Sequence, residues 1–480
     1  MALGVLITIK NVYGENEMVV YNNGSWKTLL IVIGVLLMVT LCVGCKSREI
    51  TNVNENTGNV QDTVPTANTV DPTSAPTSTP APTPTNEPTP TPTVAPTPTM
   101  TPQEIYAEAV EKSLTFAGNN YRIKKVLEKL RAGQEIYVAA LGGSVTEGAG
   151  ASSNDKGYAY LFADELNKTY APEGMQCVHF VNAGLSGTPS SLGIMRYQQD
   201  VVGLLGTVPD LLIIEFAVND YQEVTGGRAY ESLICEALTA NEECAVILLC
   251  SVARSGWNTQ DVYLPIAKNY LVPLVSLKDA VYKSGGKNRI ENSMYFSDDY
   301  HPTSYGHTLM KNCLMNLLKH ADEAEPNVQK ELPEKAIKGR SFMNLTAVDS
   351  ANKVDGLNTG SFGSTDEKVV TMYFTKAVSF PNNFYHKAGD ENTPLTLKVN
   401  CKNILINYKT SNEASFGNAA FYIDGELVAT AEGHTGGAWN NCNVIMVLDE
   451  KEAAEHTLEV KMAEGSEDKA FTILSIGYTE

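Results

Sequence analysis

Five short runs of nearly uninterrupted apolar residues set the strongest constraint on this chain: Glu135–Leu141, Cys177–Val181, Asp210–Phe216, Ala245–Ser251 and Leu271–Val275. Helical patterns lie between and after them, at Ala159–Tyr170, Leu192–Leu205, Arg228–Ala240 and Ser304–Lys319. Two more precede the first run, one carrying Ile105, Ala109 and Leu114 and one over Tyr121–Arg131. A strand with one face in water alternates polar and apolar residues. A strand covered on both faces need not, and these do not. Apolar strands alternating with helices predict a parallel sheet with helices on both faces. Ligands of such sheets bind outside the carboxyl ends of the strands, so the loops after these runs are the first place to look for chemistry.

Three of those loops carry reactive or hydrogen-bonding residues. Ser144 follows the first run in Leu141-Gly142-Gly143-Ser144-Val145-Thr146-Glu147-Gly148. Asn182-Ala183-Gly184-Leu185-Ser186-Gly187 follows the second, and Ala217-Val218-Asn219-Asp220 the third. Much later comes Asp298-Asp299-Tyr300-His301, an acid and a base three positions apart. An aspartate can orient an imidazole while the imidazole deprotonates a serine. Competing roles exist for each residue. Ser144 could cap a helix beside a tight glycine turn, Asp299 could replace Asp298, Gly184 could replace Gly187, and Asn219-Asp220 could form only a turn. His307 is expected to be structural.

These four blocks, in this order, resemble the SGNH (GDSL-type) hydrolase family over roughly residues 134 to 320. The resemblance implies a flavodoxin-like α/β fold. It also implies Ser144 as nucleophile, His301 as general base and Asp298 as its orienting acid. Oxyanion donors would be the Gly187 N–H, the Asn219 side chain and the Ser144 N–H. Two positions depart from the pattern: Gly143 stands where the family has Asp, and Ala217 where it has Gly. The added methyl of Ala217 is expected near the oxyanion donors, narrowing their site. No cofactor or metal is implied, and no Cys/His spacing suggests zinc.

Beyond about Glu325 the texture changes to short alternating segments separated by turns. They include Val369–Phe374, Leu395–Val399, Ile404–Tyr408, Ala420–Ile423, Val444–Leu448, His456–Val460 and Phe471–Gly477. This predicts an all-β sandwich, jelly-roll-like, similar to modules attached to carbohydrate esterases. Trp439 is the best candidate there for sugar binding. Trp257, after the fourth run, is a candidate for stacking on a sugar at the rim of the hydrolase site. Packing is the competing role for both.

The N-terminal part reads as an address and a spacer. Lys27 precedes an apolar run, Thr28–Val43, of 16 residues. That is short for a membrane span of about 20 residues and suits a signal-peptide core. Gly44 before Cys45 resembles a bacterial lipoprotein processing site, with Cys45 lipidated; Met18 is an alternative start. Residues 46–102 hold few large apolar side chains and turn Pro/Thr-rich, which predicts an extended spacer. The expected organisation is therefore a leader over 1–45, a linker over 46–102, a hydrolase domain over 103–325 and a β domain over 326–480. With 36 Lys and Arg against 55 Asp and Glu, the net charge of -19 argues against nucleic acid as a partner. Among nine cysteines, Cys401 and Cys442 could pair; the others of the folded part read as core residues.

The expected function is an extracellular, lipid-anchored serine esterase removing acetyl groups from a polysaccharide of xylan or mannan type. The alternatives are a lipid or short-chain esterase, a peptidoglycan O-acetylesterase, and a non-catalytic glycan-binding surface protein.

Overall fold

The computed structural model describes residues 5–9, 18–22, 100–282 and 289–480. Cys45, the leader's apolar run and nearly all of the expected spacer lie outside the described residues. Near the N-terminus Val5–Ile9 pairs antiparallel with Met18–Asn22. Val94–Glu480 forms one compact unit.

That unit begins where the Pro/Thr segment ends. Thr101 caps helix α1 (Pro102–Lys112) through a reciprocal capping box with Glu104, satisfying N–H groups that the first turn leaves unpaired. A short strand β1 (Leu114–Phe116) and helix α2 (Tyr121–Arg131) follow. Then come β2 (Ile136–Gly142), a one-turn helix α3 (Ser144–Glu147), α4 (Tyr158–Tyr170) and β3 (Val178–Gly184). Helix α5 (Ser190–Arg196) runs into a π-helical stretch, Tyr197–Gly203, where a single α-helix was predicted. Next are β4 (Leu211–Glu215), α6 (Arg228–Ala240), β5 (Ala245–Cys250), α7 (Gln260–Tyr270), β6 (Leu274–Ser276), α8 (Leu277–Tyr282), α9 (Asn292–Tyr295) and α10 (Ser304–Glu323). Helix α7 went unpredicted; Pro265 lies inside it and reads in sequence as a breaker.

The sheet order is β1-β6-β5-β4-β2-β3, parallel except for β1 on its edge. Each strand splits its side chains between two cores. Val138, Ala140 and Ile213 join α2, α4 and α10 on one face. Ala139, Leu141, Leu212 and Ile214 join α5, α6 and α7 on the other. This explains the missing alternation: both faces are covered.

The β domain is one continuous antiparallel sheet folded into two layers. Its strands are β7 (Thr346–Val348), β8 (Leu357–Asn358), β9 (Phe384–His386), β10 (Leu395–Thr410), β11 (Asn418–Ile423), β12 (Glu426–Glu432), β13 (Asn441–Met462) and β14 (Phe471–Thr479). The long strands β10 and β13 pair along most of their length, with irregularities between Cys401 and Asn403 and between Ile404 and Leu405. Leu395 and Leu397 before Cys401 and Ile404 and Ile406 after it share one buried core with Phe421, Leu458 and Ile473. Cys401 and Cys442 are both free and buried, so the possible pairing is not made. The predicted strand over Val369–Phe374 is absent. Only an isolated bridge, Thr371 to Val378, forms there, within a local turn in which the Met372 N–H donates to the Ala377 carbonyl and the Ser379 N–H to the Val370 carbonyl.

The connection between the two parts is a strap held along α6. Glu231 accepts hydrogen bonds from the N–H groups of Ile337, Lys338 and Gly339. The Phe342 N–H donates to Ser232 Oγ, and the Asn344 N–H to Glu236 Oε2. Phe342 is fully buried in the core shared with α5, α6 and α7, and Leu405, Cys442 and Leu474 of the β domain enter that same core. Arg228 forms a two-pronged ion pair with Asp449 at 2.7 and 2.9 Å, its guanidinium 5.2 Å from the Phe342 ring. Cores shared in this way unfold together. Phe342→Ala is expected to cost about 3–5 kcal/mol, with the chain still unfolding in a single transition in urea. Two separated transitions in the wild type would contradict a common core.

Candidate active site

The end of β2 determines the site. Gly142 pairs with Gly184 of β3 on one side and with Glu215 of β4 on the other. The loops carrying Ser144, Gly187 and Asn219 therefore leave the sheet at one level. Chain reversal after β2 is immediate: Gly143 is extended and Ser144 opens α3, which ends at Gly148 with φ of 105°.

Ser144 Oγ lies 2.9 Å from His301 Nε2, and His301 Nδ1 lies 2.7 Å from Asp298 Oδ2. The other oxygen of Asp298 accepts the N–H groups of Tyr300 and His301, both at 2.8 Å. Burial pushes the Asp298 carboxyl up, but the bonds from the His301 ring and from these two N–H groups outweigh it. The net effect holds it below the usual aspartate value. Asp299 points elsewhere: its carboxylate is 3.8 Å from Arg254, and its carbonyl accepts the Arg254 N–H. The choice between the two aspartates that the sequence left open falls on Asp298.

Three donors belong to the loops at this end of the sheet: the N–H of Ser144, the N–H of Gly187 and Nδ2 of Asn219. None donates to any group among the described residues. The Asn219 side chain lies against Gly143, where a Cβ would sit 2.2 Å from Asn219 Oδ1. An aspartate at 143 would displace that amide, so the departure at Gly143 and the position of Asn219 belong together. The departure at Ala217 has another outcome than expected. Ala217 is fully buried in the α5–α7 core, so its methyl group packs beneath the loop and does not narrow the site.

Buried carboxylates tie these loops to one another. Asp220 accepts from Ser190 N and Oγ and from Tyr263 Oη at 2.6–2.7 Å, joining the Asn219 loop to the helix that follows Gly187. Glu215 accepts from Thr146 Oγ1 and Ser251 Oγ beneath α3. Burial lifts both carboxyls to about 7. Glu147, 3% exposed, accepts from Ser186 N at 2.8 Å and Ser186 Oγ at 2.5 Å. Its second oxygen accepts the N–H of Tyr373, from the segment where a strand was predicted. His307 is structural: Nδ1 accepts the Tyr158 N–H and Nε2 bonds the Ala149 carbonyl. Burial lowers its pKa to about 4, keeping the ring neutral. Glu147 and Asp220 lie in the same sequence blocks as Ser144 and Asn219, but their burial, and with it their task, is not visible in sequence.

Aromatic side chains form the rim. Trp257 meets Tyr221 edge-to-face at 5.5 Å, two residues past Asn219. Trp439, the sugar-binding candidate of the β domain, has its ring against Gly187: a Cβ there would sit 3.3 Å from Trp439 Cζ2. Gly187 has φ of 74°, a conformation that favours glycine. The indole stays 52% exposed.

Residues 140–309 match the model of the GDSL-like lipase/acylhydrolase family. Among solved structures the chain is similar to a two-domain esterase active on acetylated mannans, at 25% identity and a TM-score of 0.67, over 77% of this chain and 99% of that one. The same esterase co-crystallized with mannopentaose gives 25%, 0.66, 77% and 98%. An acetyl xylan esterase variant from Geobacillus stearothermophilus is 18% identical, with a TM-score of 0.30 over 39% of this chain and 95% of that one. No curated protein matches the chain.

The buried acids make stability depend on pH. Glu215 titrates from 4.5 to about 7 on folding, so the folded state binds the proton more tightly. Its contribution is complete below the unfolded value of 4.5 and is lost as pH rises through about 7. Glu215→Gln, which cannot ionise, should flatten that decline by about 3 kcal/mol. Urea midpoints measured from pH 4.5 to 8 would test this; parallel profiles for the two proteins would refute it.

Proposed function

We propose that this chain, whose residues 140–309 match the model of the GDSL-like lipase/acylhydrolase family, is a serine esterase that removes acetyl groups from polysaccharide. The observation that carries the reading is the unbroken path Ser144–His301–Asp298 beside three donors without partners. His301 Nε2 takes the Ser144 proton as Oγ attacks the ester carbonyl. The developing oxyanion is met by the Ser144 and Gly187 N–H groups and by Asn219 Nδ2. Collapse returns the proton from His301 to the leaving sugar hydroxyl and leaves an acetyl-serine. Water, deprotonated by His301, then attacks the acetyl carbon, and His301 returns that proton to Ser144 Oγ as the acyl bond breaks and acetate leaves. Asp298 holds the ring in the tautomer that accepts at Nε2 and stabilises the imidazolium.

For the substrate, support comes from the likeness to a mannan-active esterase over both domains and nearly all of that protein's length. The reading assigns Trp439 and the Tyr221–Trp257 pair to contacts with the sugar chain, where aromatic faces stack on sugar rings. A lipid substrate has no comparable support. Export with a lipid at Cys45 follows from the apolar run Thr28–Val43 before that cysteine and the Pro/Thr spacer after it. Both features fit an enzyme held off a membrane by a tether.

Acetate release from acetylated mannan, xylan and peptidoglycan ranks the substrates. Mannan or xylan should lead, and Ser144→Ala should abolish release. Activity confined to longer p-nitrophenyl esters would move the reading to a lipid or general esterase. Asn219→Ala should lower kcat by about 100- to 1,000-fold. Trp439→Ala should raise KM for the glycan more than for p-nitrophenyl acetate. When the full chain is produced in a bacterium, Cys45→Ala should move it from the detergent phase to the aqueous phase on Triton X-114 partition. An unchanged partition would remove the anchor.

A further inference from the structure

We infer that Glu147 is a positioning residue through which the β domain sets the oxyanion loop, so that this domain takes part in the chemical step as well as in glycan binding. The inference rests on the esterase reading above and goes beyond it. Glu147 closes the helix that Ser144 opens. One of its oxygens accepts both the N–H and the hydroxyl of Ser186, the residue before Gly187. Its other oxygen accepts the N–H of Tyr373, in the β domain. A carboxylate is an acceptor on both oxygens, and here each is used by a different part of the fold. The Ser186 N–H and the Gly187 N–H belong to consecutive peptide units. Fixing the first therefore restricts the direction of the second, which carries the proposed oxyanion donor. Trp439 closes over Gly187 from the same domain. The Tyr373 N–H lies in the turn that Val369–Phe374 forms with Ala377–Ser379 and has its partner in Glu147.

No amide can replace this carboxylate. Glutamine in the same place would set an NH2 donor against either the Ser186 pair or the Tyr373 N–H, leaving a buried donor unpaired. The effect would appear in kcat on a small ester that carries no sugar chain. A domain that only held glycan would leave that number unchanged.

The test uses the full chain and p-nitrophenyl acetate, with thermal unfolding followed in parallel. Glu147→Gln should lower kcat by about 10- to 100-fold, the scale of a misplaced catalytic group, with KM changed by less than about threefold. Tyr373→Pro deletes the same N–H from the β-domain side and should lower kcat in the same direction. Tyr373→Ala keeps the N–H and should retain wild-type kcat. If Glu147→Gln fails to fold, the Tyr373 pair still decides. Full kcat in Tyr373→Pro overturns the inference, as does a loss in Tyr373→Ala equal to that in Tyr373→Pro. Activity surviving in Ser144→Ala would instead overturn the esterase reading, so the two failures are distinguishable.

Discussion

The site depends on a single register. Because β2 lies between β3 and β4, and Gly142 stands level with both Gly184 and Glu215, three loops rise from the sheet at one height. A slip of one residue in either pairing would turn the strand's side chains to the other core and lift one loop away from the others. Full burial on both faces prevents that slip. Val138 and Ala140 are committed to one core, and Ala139 and Leu141 to the other. Only after this register is fixed can a histidine 157 positions away approach Ser144 within 2.9 Å.

The second constraint is that the β domain has no independent seat. The strap along α6 spends three backbone donors on Glu231, and Phe342 lies in a core that also takes Leu405 and Leu474. A hinge would need those donors to find water and that ring to be exposed. The Arg228–Asp449 pair, partly exposed, contributes little by itself. Its two-pronged geometry above Phe342 serves mainly to fix the angle of approach. A rigid junction lets Trp439 meet Gly187 and Tyr373 meet Glu147 at hydrogen-bond and van der Waals precision, which a flexible linker between modules would not allow.

The α/β part was legible because burial on both faces leaves a direct trace in sequence, and because Ser144, Gly187 and Asn219 all sit just past such runs. The reading of α6 as Arg228–Ala240 coincides with the structure. What stayed hidden was set by partners distant in sequence. Nothing local tells that Val369–Phe374 will give an N–H to Glu147, so its alternation suggested a strand. Nothing local tells that Trp439 will cross to Gly187. Pro265 masked α7, and the π-helical turn over Tyr197–Gly203 has no periodicity that a helix pattern would reveal. Gly143 looked like a departure until the position of Asn219 supplied its steric reason.

The use of carboxylates at the seams follows from geometry. Loops leaving a sheet at one level present backbone N–H groups and hydroxyls to one another, all of them donors, and a donor-rich seam needs acceptors with two usable oxygens. Glu147, Asp220 and Glu215 each supply two. Their burial is costly for a charge, and Glu215 and Asp220 respond by titrating near 7. A protonated acid keeps one acceptor but turns its other oxygen into a donor. Each proton gained therefore exchanges a desolvation cost for a mismatch with the surrounding donors. The site is held between these two costs, and the balance favours geometry: such networks add less to total stability than to the uniqueness of the loop arrangement they connect.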